Sequence, residues 1–265
     1  MHAFDYHRPS GTKDAVALGE KKTEGKYLAG GQSLVQAMKL RLSSPTDLID
    51  LNAIGDLKTL KAEGGGVTVG AMVRHAEVAA SSAVQKAIPA LAALAGIIGD
   101  RQVRHMGTIG GSIANNDPAA DYPAAVLGLG ATITTNKRKI EADSFFKGLY
   151  ETALAPGELI TSIAFPAPKR AAYMKFKNPA SRFAIVGVFV ADFGGKVRVA
   201  VTGAGPSVFR QAEMEKALTA KFAPESVAGI KVKPAGLNND LHASPEYRAH
   251  LITVMAKRAV EAALK

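Results

Sequence analysis

The chain has 265 residues, 47% of them hydrophobic, which suffices for one large domain or for two or three smaller units that share a core. Its lack of cysteine excludes disulfides, thiol catalysis and cysteine-bound zinc or iron–sulfur centres, so an electron carrier on this chain would be an organic cofactor. A net charge of +10 is compatible with nucleic-acid binding, but the charges are scattered and only 6% of residues are aromatic, so we predict no nucleic-acid partner.

Short strands and helices alternate in the first 55 residues. Residues 26–29 and 47–51 are strand candidates, and between them apolar residues recur at helical spacing at positions 34, 37, 38 and 42. Ser33 and Gln36 fit a capping box, in which both side chains bond backbone amides at the start of a helix. We therefore predict the order strand, helix, strand, helix, strand.

The next segment begins with a predicted hairpin, in which residues 57–61 and 67–70 flank three consecutive glycines. Two alanine-rich stretches follow at 77–80 and 83–97, and we predict that both are helical. Residues 108–123 contain glycine, asparagine and proline throughout, which predicts that they are mostly loop.

Strands dominate the remainder of the chain until two late helices. Residues 131–135 and 139–142 are predicted to pair, and Pro166 ends a further strand over 159–165. Alternating segments at 173–177, 185–193 and 196–202 predict an antiparallel meander, with Gly194-Gly195 as its last turn, and helices are predicted over 209–221 and 245–264. The class is therefore α+β, and the pattern changes near residues 55 and 170.

Two paired-glycine loops are the most informative local features: Ala29-Gly30-Gly31-Gln32-Ser33 and Thr108-Ile109-Gly110-Gly111-Ser112. Paired glycines let the backbone approach a ligand closely, and exposed amides at the start of a helix bind anions. Two such loops would suit the two phosphates of a dinucleotide, although each alone could be an ordinary turn. Neither a G-x-G-x-x-G fingerprint opening a helix nor a phosphate-binding G-x-x-x-x-G-K-[ST] loop is present.

Other chemistry-bearing residues form no recognisable pattern. The six histidines show no metal-ligand spacing, so no metal is predicted on this chain, and neither Ser33 nor Ser112 has an obvious histidine and acid partner for a hydrolase triad. No apolar stretch is long enough to span a bilayer, and the N-terminal residues lack the features of a secretory signal. These observations predict a cytoplasmic protein without a transmembrane segment.

Longer segments around the glycine pairs resemble the two flavin motifs of the FAD-binding subunits of molybdenum hydroxylases, the family that includes xanthine dehydrogenase and aerobic carbon monoxide dehydrogenase. The first segment, residues 29–42, is AGGQSLVQAMKLRL, and the second, residues 107–121, is GTIGGSIANNDPAAD. Their spacing also matches, and the resemblance continues through 156–160, 201–206 and 240–248. It therefore covers nearly the whole chain.

The resemblance implies a vanillyl-alcohol-oxidase-like (PCMH-type) FAD-binding fold of the α+β class. Two α/β subdomains, expected at 1–55 and 56–168, would hold an extended FAD between them. A C-terminal subdomain at 169–265, with a three-stranded antiparallel sheet and helices, would cover the flavin.

Carried over position by position, the resemblance implies binding roles for residues in both motifs. Amides of Gly30 to Ser33 would donate to the diphosphate, Asp121 would bind a ribose or ribityl hydroxyl, and Lys177 would place a positive charge near the isoalloxazine. A loop or helix cap at Asp121, and a solvated strand lysine at Lys177, are the alternatives. Phe183 stands where some relatives carry Tyr or Trp over the flavin, and Val73 where relatives carry threonine. The full implied set of cofactor-binding residues is Leu28, Ala29, Gly30, Gly31, Gln32, Ser33, Leu34, Ile98, Gly107, Thr108, Gly111, Ser112, Asn115, Asp121, Leu159, Ile160 and Lys177.

The function implied by the resemblance is electron transfer through one non-covalent FAD. In the family, a large subunit with the molybdenum cofactor oxidises the substrate, and a small subunit with two [2Fe–2S] clusters passes the electrons to the flavin, which reduces an external acceptor. A heterotrimer or a dimer of heterotrimers is therefore expected, with the substrate pocket and all metal centres on the partner chains. Carbon monoxide, purines, aldehydes, N-heterocycles and nicotine-like compounds all remain open as substrates of the complex.

Two alternatives remain at this point. A stand-alone FAD-dependent oxidoreductase would need its own substrate pocket, for which the C-terminal part leaves limited room. A non-catalytic interaction subunit that has lost FAD would not need the intact glycine motifs.

Overall fold

In a computed structural model, which describes residues 1–265, the chain folds as an α+β protein with three main sheets and one small hairpin. The predicted class is confirmed. The strands of the three main sheets follow one another along the chain, so each sheet defines one unit of the fold.

The first unit is a parallel sheet of three strands with the order β1-β3-β2. The strand β2 stops directly before Ala29, so the first glycine loop lies at the carboxyl edge of this sheet. The predicted alternation of strands and helices is confirmed: β1 (Asp5–His7), α1 (Thr12–Lys21), β2 (Lys26–Leu28), α2 (Leu34–Lys39) and β3 (Asp47–Asp50). Two short 3-10 turns follow, Leu51–Ala53 and Gly55–Lys58.

The capping box predicted at Ser33 and Gln36 is wrong. Ser33 precedes α2, but its side chain accepts no hydrogen bond from the first turn. Its φ of −109° and ψ of −52° place the residue in the helical region, whereas a capping serine is extended so that its hydroxyl faces the free amides.

The second unit is an antiparallel sheet of five strands, ordered β4-β5-β10-β6-β7, with its helices packed beside it. The predicted hairpin around the three glycines and the predicted pairing of β6 with β7 are both confirmed. Its elements are β4 (Leu60–Glu63), β5 (Gly66–Gly70), α3 (His75–Ala80), α4 (Ser82–Ala87), α5 (Pro89–Gly96), α6 (Arg101–Met106), α7 (Ile109–Asn115), α8 (Tyr122–Leu129), β6 (Thr132–Thr135), β7 (Lys139–Glu141), α9 (Ala142–Phe145), β8 (Phe146–Gly148), β9 (Glu151–Thr152) and β10 (Ile160–Pro166).

Two predictions in this unit are wrong. The single helix over 83–97 is two helices, because the residue before a proline avoids helical geometry and Ile88, before Pro89, has φ −143° and ψ 73°. The loop over 108–123 contains the helix α7 and the start of α8. Glycine and asparagine are poor helix formers, but tertiary packing overrides that preference here, with Ile109, Gly110 and Ile113 buried.

The third unit is an antiparallel sheet of four strands, ordered β11-β12-β13-β14, covered on one side by the last helix. The meander and its Gly194-Gly195 turn are confirmed, and both glycines have positive φ. The sheet has one strand more than expected, because the two-residue β14 is too short to show alternation and takes the place of the predicted start of a helix. The elements are β11 (Arg170–Lys177), β12 (Ala184–Asp192), β13 (Val197–Thr202), β14 (Phe209–Arg210), α10 (Ala212–Ala220), α11 (Glu225–Ala228) and α12 (Pro245–Ala263).

One apolar core of 33 buried residues joins the second and third units, since it contains Ile163 of β10 together with Phe189 of β12. A core of 18 residues lies between the third sheet and α12, and a small one of seven residues lies in the first unit. None of the helices is long and apolar enough to cross a membrane.

Candidate cofactor-binding site

The two glycine loops lie against each other where the first two units meet. A Cβ atom on Gly30 would lie 2.2 Å from the carbonyl oxygen of Met106 and 2.7 Å from the Cα of Gly107. A Cβ on Gly111 would lie 3.3 Å from the Cβ of Ala29. The absence of side chains at Gly30 and Gly111 therefore allows the backbones of the two loops to touch.

In the first loop, the backbone amides of Gly30, Gly31, Gln32 and Ser33 find no acceptor within the protein. Gly31 has a φ of +71°, a left-handed conformation that glycine adopts without strain, and this turn separates β2 from α2. Gln32 and Ser33 are exposed. The loop thus presents four consecutive unpaired donors in front of a helix, an arrangement that binds anions such as phosphate.

In the second loop, by contrast, the amides of residues 109–112 are used within the protein. Gly110 donates to the carbonyl of Ala71 at 2.9 Å, Gly111 to Thr108 Oγ1 at 3.1 Å, and Ser112 to the carbonyl of Thr108 at 3.0 Å. Thr108 thus caps α7. Ser112 and Asn115, further along α7, are partly exposed, so their side chains rather than their backbone amides are the groups that this loop can offer to a ligand.

Asp121 lies buried behind the second motif and already has two donors. Tyr173 Oη donates to one carboxylate oxygen at 2.6 Å, and Lys175 Nζ lies 3.0 Å from the other. Burial raises the pKa of Asp121, and the neighbouring Lys175 and Tyr173 oppose that rise. Since Tyr173 and Lys175 belong to β11, this cluster ties the second unit to the third.

Lys175 and Tyr173 were not found from the sequence. The Lys175 side chain is only 2% exposed and also donates to the carbonyls of Ile97 and Arg182, whereas the predicted Lys177 is exposed at the end of β11. Strand alternation places Lys175 and Lys177 on one face of β11 and Phe176 on the other. It therefore cannot tell which of the two lysines contacts Asp121. The role of Lys177 stays a prediction, as does that of Asp121.

His75 supports the second loop from behind. A Cβ on Gly107 would lie 2.5 Å from His75 Nε2, and the His75 amide donates to the Gly107 carbonyl at 3.0 Å. The ring is buried against Tyr122, with 5.2 Å between ring centroids. Burial, helped by the charge of Arg104, lowers the pKa of His75 to about 4, so the imidazole is neutral at pH 7.

The remaining predicted residues are spread more widely. Ile98 is partly buried, and its carbonyl accepts from Arg104 Nη1 at 2.9 Å, which places it beside α6. Leu159 and Ile160 are buried in two different cores, at 5% and 3% exposure, and Phe183 is exposed. No group of three or more His, Cys, Asp or Glu side chains could hold a metal ion.

Comparison with known proteins identifies the family. Residues 2–168 match the family described as the FAD binding domain in molybdopterin dehydrogenase, and residues 171–263 match the CO dehydrogenase flavoprotein C-terminal domain. The chain belongs to this family. It is an FAD-binding subunit of the medium-chain type found in molybdenum hydroxylases, and FAD is its cofactor.

Relatives align along almost the whole chain. The carbon monoxide dehydrogenase medium chain of Hydrogenophaga pseudoflava is 36% identical over 98% of this chain and 96% of its own length. The nicotine 6-hydroxylase medium subunit of Paenarthrobacter nicotinovorans is 35% identical, covering 98% of this chain and 97% of its own. The solved structure of carbon monoxide dehydrogenase from Hydrogenophaga pseudoflava superimposes with a TM-score of 0.91 over 99% of this chain and 98% of that one. The predicted PCMH-type fold is therefore confirmed.

The residues of the site fit an FAD diphosphate. Four unpaired amides precede α2, and the Gly30 contact brings the second motif alongside them. A diphosphate carries negative charge and needs several donors, which the first loop supplies without any side chain. The absence of cysteine and the lack of a histidine in either motif agree with a cofactor that is bound without a covalent link.

Proposed function

We propose that this chain carries electrons from [2Fe–2S] clusters of a small partner subunit, through its FAD, to an external acceptor. The flavin, when bound, can exchange electrons singly or in pairs, so it connects one-electron carriers to two-electron acceptors. A large subunit with the molybdenum cofactor would oxidise the substrate, in a heterotrimer or a dimer of heterotrimers.

The single observation that carries the flavin-binding part of this proposal is the row of four unpaired amides in the first loop of a chain whose family binds FAD. Protein amides that face solvent beside a helix start are available to a phosphate at no cost of breaking internal bonds. A subunit that had lost FAD would have no need to keep such donors unpaired.

The division of labour between subunits is supported by composition. Iron–sulfur clusters are held by cysteine thiolates in the great majority of cases, and this chain has no cysteine. The clusters that would feed its flavin must therefore lie on another chain. The C-terminal family match and the medium-chain relatives agree with this arrangement.

For individual residues, we propose that Leu28 to Leu34 wrap the diphosphate, with Thr108, Gly111, Ser112 and Asn115 on its other side. The division into units at 1–55, 56–168 and 169–265 is part of this proposal, since FAD would lie between the first two and the third would cover the flavin. Three separate sheets and the two family matches, which meet between residues 168 and 171, support that division.

The test of the proposal is to purify the tagged chain from its own host and record the absorption spectrum, with metal analysis of everything that copurifies. We expect flavin bands together with iron–sulfur absorption, molybdenum and two further polypeptides. Flavin without partners would instead identify a stand-alone flavoenzyme, and a folded chain without flavin would refute the proposal altogether.

A pair of glycine variants tests the position of the site. Gly31→Ala and Gly194→Ala both introduce a side chain at positive φ, +71° and +76°, so they share a backbone strain of about 1–2 kcal/mol. At Gly31 the new Cβ would also lie 2.9 Å from Val35 Cγ2, the end of a side chain. Gly194 lies in open space in the third-unit hairpin, so its variant is the matched control. We expect loss of flavin content from Gly31→Ala alone, and equal flavin content in both variants would contradict the assignment of the first loop.

A further inference from the structure

A polar cluster lies at the carboxyl edge of the first sheet, next to the first loop. Asp50, the last residue of β3, pairs in register with Leu28, the last residue of β2. Asp50 is buried, with 6% of the residue exposed. A buried carboxylate needs several hydrogen-bond donors. One of the donors to Asp50 also bonds the first loop.

Asn52 joins the carboxylate to the loop. Asp50 Oδ1 accepts from the backbone amide of Asn52 at 2.9 Å and from its Nδ2 at 2.7 Å. The same Nδ2 donates to the carbonyl oxygen of Ala29 at 3.1 Å. The hydroxyl of Tyr6 donates to the other oxygen, Asp50 Oδ2.

These bonds keep Asp50 ionised. Burial raises the pKa of Asp50, but the donors Tyr6 and Asn52 outweigh burial, and the net effect is a pKa below the ordinary value. Ionised Asp50 accepts hydrogen bonds from both the backbone amide and the Nδ2 of Asn52. These two bonds fix the orientation of the Asn52 carboxamide. The second Nδ2 proton is then left to point at Ala29.

The Ala29 carbonyl and the Gly30 amide belong to one planar peptide, in which C=O and N–H point in opposite directions. A hydrogen bond that holds the carbonyl on the protein side therefore turns the amide of Gly30 away from the protein. Gly30 is the first of the four unpaired donors. The methyl group of Ala29 also lies beside Gly111, so this peptide is fixed from two directions.

We propose that Asn52, oriented by Asp50 and Tyr6, is a positioning residue for the cofactor: it holds the Ala29 carbonyl so that the Gly30 amide faces the diphosphate. This inference rests on the proposed binding of the FAD diphosphate by the first loop. In this proposal Asn52 acts through the Ala29 peptide, so its effect is on the direction of a donor and on the polarity of that peptide.

The test uses Asn52→Asp in the full chain, with any subunits that copurify, and measures the dissociation constants of FAD and of ADP, which carries the diphosphate without the flavin. The change replaces the donor by a second acceptor, which repels both Asp50 and the Ala29 carbonyl. We expect binding of both ligands to weaken about tenfold or more at pH 8, at a temperature where unfolding curves show every variant fully folded.

Acidification supplies a readout that distinguishes positioning from general damage. Next to Asp50, the introduced carboxyl group takes up a proton at unusually high pH, and it then regains one donor. In the folded variant, affinity for FAD, whose diphosphate is esterified at both ends and does not titrate in this range, should therefore recover as the pH falls from about 8 to 5, while the wild-type affinity for FAD changes little. A loss that is the same at every pH would contradict the proposal.

The matched control is Asn238→Asp. Asn238 also donates from Nδ2 to a backbone carbonyl, that of Gly205 at 2.8 Å, but in the third unit. We expect its affinity for ADP to remain that of the wild type. If Asn52→Asp does not fold, Tyr6→Phe decides, because Tyr6 is 54% exposed and loses only the hydroxyl that orients Asp50.

For Tyr6→Phe we expect about twofold to fivefold weaker binding of FAD, smaller than for Asn52→Asp because the carboxamide itself remains. Wild-type affinity in Tyr6→Phe or in folded Asn52→Asp would overturn the role of Asn52 while leaving the proposed function intact. Failure of the wild-type chain to bind FAD or ADP would instead overturn the proposed function.

Discussion

The two glycine loops are alike in sequence and opposite in what their backbones do. The first, at residues 29–33, leaves four amides unpaired and has a turn at positive φ. The second, at 108–112, is the start of a capped helix, and the amides of Gly110, Gly111 and Ser112 all have acceptors in the protein. A glycine pair can therefore expose donors to a ligand, or it can let a helix pack where no side chain fits, and only the bonding partners separate the two cases.

The largest effect that this difference predicts is on Gly110. Its Cβ would lie 2.6 Å from both the Cβ and the carbonyl oxygen of Ala71, and the second of these also accepts the Gly110 amide. We expect Gly110→Val to lower the free energy of unfolding by about 3 kcal/mol or more. Chemical denaturation of the FAD-free chain measures it.

Gly96→Ala is the control for that change, because the nearest side chain would be 3.9 Å away at Ala79. Alanine suits a helix better than glycine, so stability should stay within about 1 kcal/mol of the wild type. If Gly110→Val is as stable as this control, Gly110 does not pack against Ala71 as closely as described.

The next largest effect concerns acid and the support behind the second loop. The folded pKa of His75 is about 4, below its ordinary 6.5, so between these values the unfolded chain binds a proton that the folded chain does not. The contribution of neutral His75 to the free energy of unfolding is fully present above pH 6.5. It is lost as the pH falls toward 4, by about 3 kcal/mol in total.

Unfolding curves at several pH values test this. His75→Gln should show a shallower loss of stability between pH 6.5 and 4 than the wild type, whereas His250→Gln, at an exposed position of α12, should keep the wild-type slope. Equal slopes in His75→Gln and wild type would show that His75 is protonated without cost.

The smallest effect compares the residues that precede the two helices. Thr108 Oγ1 accepts the Gly111 amide, so Thr108→Ala should cost about 1 kcal/mol of unfolding free energy. Ser33 makes no such bond, so Ser33→Ala should change stability by less than about 0.5 kcal/mol. Denaturant midpoints of the two FAD-free variants measure the difference, and a large cost at Ser33 would mean that it caps α2 in solution.

The sequence alone was enough for the fold class, for the three-stranded meander and for the pairings of β4 with β5 and of β6 with β7. Glycines mark two of the turns, at 64–66 and at 194–195. The short hairpin of β8 and β9 was not predicted. It was not enough for α7, since the helix over Ile109–Asn115 is built from poor helix formers and exists because Gly110 fits against Ala71. The family resemblance located both glycine motifs, but it does not tell which of them has unpaired backbone amides. The hydrogen-bond partners of those amides depend on the folded chain.

The supporting residues show the same limit. The bond from Asn52 to Ala29 and the bond from Lys175 to Asp121 join residues that lie 23 and 54 positions apart along the chain. No periodicity encodes such contacts. A polar residue two positions after a buried strand aspartate, as in Asp50-Leu51-Asn52, is the one local pattern that could have drawn attention to the first of them.

The contact of Gly30 with Met106 and Gly107 has a thermodynamic consequence. Because the first and second loops belong to different sheets, any ligand that spans both loops binds only when those sheets are docked. Such a ligand stabilises the docked state by mass action, in proportion to RT ln(1 + [L]/Kd). Saturation with cofactor would therefore suppress exchange of amide hydrogens in the strand β2 and in the helix α6 together, although these elements belong to separate parts of the chain.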